Sequence, residues 1–123
     1  MKFREALPTA CPPNHAVETA QPSAFRLISS ANPQSSDFDS NAASKPAPLG
    51  CDPCRWASCS LYTNLETLKM KRETFPKLRK MAFYAKLSIS ENCGKSVVEN
   101  NHIDFWMSDK FDPVKSVVAV AQL

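Results

Sequence analysis

The chain has 123 residues, a net charge of +3, 43% hydrophobic and 22% charged residues, 10 Pro, only 2 Gly and 5 Cys. This is the length and usage of one ordinary globular domain, and it excludes a collagen-like chain, a coiled coil and a fully disordered polymer. No apolar run is long enough to span a bilayer. Placement says more than totals. Residues 1–50 hold 7 of the 10 prolines, 3 of the 11 aromatics and balanced charge, whereas residues 51–123 hold the other 8 aromatics and the whole positive excess. The expected domain is therefore residues 23–123, with residues 1–22 a flexible N-terminal tail marked by Pro8, Pro12, Pro13 and Pro22.

In chain order, Ala24–Ile28 reads as a first strand. A long polar loop region follows to Leu49, with one helical turn expected at Ser35–Asp39. Arg55 to Tyr62 reads as extended. Thr63-Asn64-Leu65-Glu66 is a capping box that opens a helix of about ten residues, with Leu61, Leu65 and Leu68 on one side and Pro76 at its end. Met81 to Ile89 alternates with period two and predicts a half-buried strand. Asn92-Cys93-Gly94 predicts a turn. His102 to Met107 alternates again, placing His102, Asp104 and Trp106 opposite Ile103, Phe105 and Met107. Val114 to Ala121 is the last expected strand. The fold class is α+β: a small, mostly antiparallel sheet with one or two helices.

The opening residues lack the pattern of an export signal, because Glu5 and Pro8 interrupt the charged and apolar parts. The expected compartment is the cytoplasm, where thiols stay reduced. Cys51, Cys54, Cys59 and Cys93 then form a candidate metal site, a C-x2-C followed by two further thiols, the right number and type for tetrahedral zinc or an iron–sulfur cluster. The competing reading makes Cys59 and Cys93 small buried hydrophobes. Gly94-Lys95-Ser96 is not a phosphate loop, since Ile89 stands where the upstream glycine belongs. The tract Lys69, Lys71, Arg72, Lys77, Arg79, Lys80 and Lys86 alternates with Glu66 and Glu73 as a solvated helix back does, which disfavours nucleic acid as partner. His102, Asp104 and an exposed Trp106 on one strand face suggest a site wall.

Residues 25–123 resemble a family of small uncharacterised bacterial proteins. The resemblance is carried by Phe25-Arg26-Leu27-Ile28, Ser36-Asp37-Phe38-Asp39-Ser40, Ser58-Cys59-Ser60-Leu61-Tyr62, Ala82–Ile89, His102–Trp106 and Pro113–Val120. The order of parts also resembles small ADP-ribosyltransferase folds, which carry an Arg or His in the first strand, a Ser or Tyr where a strand enters a helix, and a late acid. That resemblance implies NAD handling, with Arg26, Ser60, Tyr62 and Trp106 on the cofactor and Glu99, Asp104 and His102 in catalytic roles. A non-enzymatic module, an adaptor or inhibitor stapled by zinc or docking its basic helix on an acidic protein partner, is the alternative expectation. No membrane partner is expected.

Overall fold

The computed structural model describes residues 1–123. Six strands form one sheet in the order β4-β5-β2-β1-β3-β6, with every neighbouring pair antiparallel. They are β1 (Gln21–Ile28), β2 (Cys59–Tyr62), β3 (Phe83–Ile89), β4 (Gly94–Glu99), β5 (His102–Met107) and β6 (Val117–Gln122), with helices α1 (Pro53–Trp56) and α2 (Leu65–Thr74). The expected α+β fold is the observed one. No helix is long and apolar enough to cross a membrane.

Period-two alternation decides the two faces of the sheet. Ala24, Ile28, Cys59, Leu61, Ala85, Leu87, Ile89, Ile103, Phe105 and Met107 point to one side and, with Phe38, make the main core. Phe111 and Val114 pack against it, and Val117 and Val120 of β6 extend it at the sheet edge. Leu61 belongs to this core, so the expected Leu61–Leu65–Leu68 stripe does not form; Leu68 is fully buried elsewhere. The opposite face carries Tyr62, His102 and Asp104, and α2 lies across β1 and β2.

Several elements differ in detail from the sequence reading. α1 replaces the start of the expected strand at Arg55, because Asp52 accepts from the Cys54 amide and Pro53 opens the helical turn. α2 is capped by Asn64, whose side chain accepts from Thr67, while Thr63 donates instead to Asn101. The turn at 35–38 forms as expected, with Gln34 and Asp37 as its capping box. β4 begins at Gly94, within the expected turn. A side chain there would run into the Trp106 carbonyl oxygen and the Phe105 ring across the ladder, so only glycine permits that pairing.

The expected free tail is instead built into the domain. Phe3 pairs with Ser108 and Val17 with Ser96 as isolated bridges. Arg4 donates to the Phe38 and Ser35 carbonyls and forms an ion pair with Asp39 at 2.9 Å. Glu5 accepts from both the amide and the hydroxyl of Ser40. Cys11 and Cys54 are joined as a disulfide with Cα atoms 5.5 Å apart. This corrects two expectations together: these thiols are not reduced, and Cys54 has no lone thiolate for zinc. Of the other expected ligands, Cys59 is buried in the core, Cys51 is exposed and Cys93 lies half-buried, and no group of His, Cys, Asp and Glu is placed to hold a metal.

Candidate functional site

Cross-strand register assembles the site. Tyr62 faces His102 and Ser60 faces Asp104 across the β2–β5 ladder. The Tyr62 and His102 rings meet edge-on with centroids 5.3 Å apart. His102 Nδ1 is 3.5 Å from Asp104 Oδ1. Asp104 is nearly buried, yet it is well provided for: Arg55 Nε donates to Oδ2 at 3.0 Å and the Ser58 hydroxyl to Oδ1 at 3.2 Å. The same hydroxyl lies 2.7 Å from the Arg55 carbonyl, the nearer of the two acceptors that share its single proton, which fixes the turn leaving α1.

Arg55 is the hub. Its side chain stays 61% exposed, and its two Nη groups have no partner in the protein. Three adjoining hollows share it. One, of about 380 Å³, is lined by Cys51, Ser60, His102 and Asp104. A second, of about 420 Å³, is lined by Tyr62, Lys71, Phe75, Glu99 and His102. The third, of about 340 Å³, lies between Pro8, Thr9, Ala10 and Pro13 on one wall and Glu99, Asp104 and Trp106 on the other. Burial pushes the His102 imidazole below its ordinary value, opposed by the Asp104 carboxylate and reinforced by Arg55 and Lys71. Burial likewise pushes the Tyr62 phenol up, against the pull of Arg26 and with Asp104 adding to the rise.

The expected site residues divide sharply. Ser60, Tyr62, Glu99, His102, Asp104 and Trp106 all line this groove. Trp106 is not the exposed platform expected; it is 2% exposed and donates its Nε1 to the Cys54 carbonyl at 2.9 Å. Arg26 is elsewhere. It pairs with Ala85 on the core side of the sheet, and its fork donates to the Asp37, Ser60 and Asp39 carbonyls at 3.0, 2.9 and 3.1 Å. That fork stitches β1 to β2 and to the 35–39 turn, so none of its three nitrogens is left for a phosphate. Arg55, absent from the expected set, takes the exposed position; its sequence signal was the Asp52-Pro53 helix start just before it. No family model, curated protein or solved structure matches the chain.

Proposed function

We propose that the protein binds a phosphate-bearing ligand with a flat ring system, in the manner of a NAD-handling domain, in the groove that meets at Arg55. The supporting observation is the guanidinium of Arg55: Asp104 anchors its Nε, while both Nη groups are unpartnered at the groove surface. A planar fork held from behind is pre-organised for two parallel charge-assisted bonds to an anion. Lys71 adds a second cation on the same wall, and Tyr62 and Phe75 add aromatic surface. NAD would thus be held by Arg55 in place of Arg26, with Glu99 and His102 beside the ring and sugar.

Binding without chemistry is the second reading, whether of a small ligand or of a protein partner. No hydroxyl or thiol donates to His102, so no activated nucleophile accompanies the His102–Asp104 pair. The Cys11–Cys54 disulfide favours an oxidising setting over the cytoplasm. Calorimetric titration with NAD separates these readings from a mere surface dent. The native chain should release or absorb heat on binding, and Arg55→Lys should lose most of the affinity because a point charge cannot replace the fork. Equal affinity of native and Arg55→Lys protein would contradict the assignment to Arg55.

A further inference from the structure

We propose that Cys51 is the exchange partner of the Cys11–Cys54 disulfide, so that the chain carries an internal thiol–disulfide relay at the mouth of the groove. Cys51 is an exposed free thiol, and only Asp52 and Pro53 separate it from the bonded Cys54. The two cysteines line neighbouring hollows that share Asp52, Arg55 and Asp104. Cys51 follows a turn closed by its own amide on the Pro48 carbonyl, with Gly50 at a φ of 88° inside it. The remaining free thiols are elsewhere: Cys59 is buried in the main core, and Cys93 lines a separate cleft with Asn92 and Phe111.

The exchange balances within the chain. Cys51 loses its proton to solvent, and its thiolate attacks the Cys54 sulfur. The Cys51–Cys54 bond forms as the Cys11–Cys54 bond breaks, and Cys11 leaves as a thiolate that takes a proton from solvent. No net oxidation or reduction occurs. What changes is mechanical. The disulfide is the covalent tie that holds the 8–13 segment against α1, where it forms one wall of the third hollow. In the Cys51–Cys54 form that tie is gone. The bonds from Trp106 to the Cys54 carbonyl and from Arg55 to Asp104 need not break, because neither uses a sulfur.

The test uses the full chain, incubated anaerobically at mildly alkaline pH without added thiol, then acid-quenched and blocked with maleimide. Tryptic mapping reads the outcome directly, because Cys51 and Cys54 share one peptide and Cys11 lies on another. We expect an internal Cys51–Cys54 bond to appear, with label moving from Cys51 to Cys11. The Cys51→Ser chain should keep Cys11–Cys54 and leave Cys11 unlabelled. Label that stays on Cys51 in the native chain, Cys51 bonded to any cysteine other than Cys54, or equal labelling of Cys11 in Cys51→Ser, overturns the relay. These outcomes do not depend on any ligand, so they fail or succeed separately from the binding assignment.

Discussion

Arg26 and Arg55 show how one residue type divides between structure and ligand by where its donors go. Arg26 uses all three guanidinium nitrogens on backbone carbonyls, those of Asp37 and Asp39 in the 35–39 turn and that of Ser60 in β2. Removing it leaves those acceptors unmatched, so Arg26→Ala should cost at least about 2 kcal/mol of stability in denaturant unfolding; an unchanged midpoint would show that the fork is dispensable. Arg55 spends one nitrogen and keeps two. His102 makes a second prediction at this scale. Its native value is lowered from 6.5, chiefly by burial, so folding favours the neutral ring. That contribution is fully present above pH 6.5 and is lost as pH falls through the lowered native value. His102→Gln should therefore flatten the acid side of the stability profile, measured by urea midpoints below neutrality, and an unaltered slope there would assign the acid loss to other groups. Cys59 behaves oppositely: burial raises its thiol, with Arg26 and Arg4 opposing, so its contribution is present below 9.0 and lost above as pH rises.

At the scale of elements, the N-terminal segment carries the largest difference between reading and structure. Pro8, Pro12 and Pro13 marked it as unstructured, and locally it is irregular. It is held by partners distant in sequence: Arg4 by Ser35 and Asp39, Glu5 by Ser40, and Cys11 by Cys54. No local pattern announces such pairings. Cutting the disulfide with Cys11→Ser should lower stability by about 2–4 kcal/mol, and removal of residues 1–17 should lower it further; a truncated chain that melts with the native chain would return this segment to the status of a free tail. The strands β3 and β5 were legible because each sends apolar residues to the main core at every second position; β3 leaves its other face more open, whereas β5 also buries Asp104 and Trp106 on the second face. β4 was less legible. It is an edge strand whose Val98 and Glu99 are exposed, and its first residue, Gly94, signals a turn even though close approach to Trp106 is what demands it.

For the whole molecule, the sheet order places β2 and β5 side by side, and this brings Tyr62, His102 and Asp104 together from segments some 40 residues apart. The strand face of His102, Asp104 and Trp106 was readable from alternation alone; its partner Arg55 was not, because a helical turn replaces the expected strand there. The zinc expectation failed for a related reason, since spacing cannot show that Cys54 bonds Cys11 across 43 residues. Basic residues around α2 are partly structural: Arg72 donates to the Met81 and Arg79 carbonyls, and Arg79 to that of Glu73. The account therefore rests on the groove at Arg55 and not on a general positive surface. Backbone amide shifts of the full chain, followed by NMR during titration with NAD, test it most directly. The account predicts saturable changes clustered on Arg55, Tyr62, Lys71, Glu99 and His102, and little change at Arg26. Absence of any saturable change, or changes centred on Arg26 and the 35–39 turn, would contradict it.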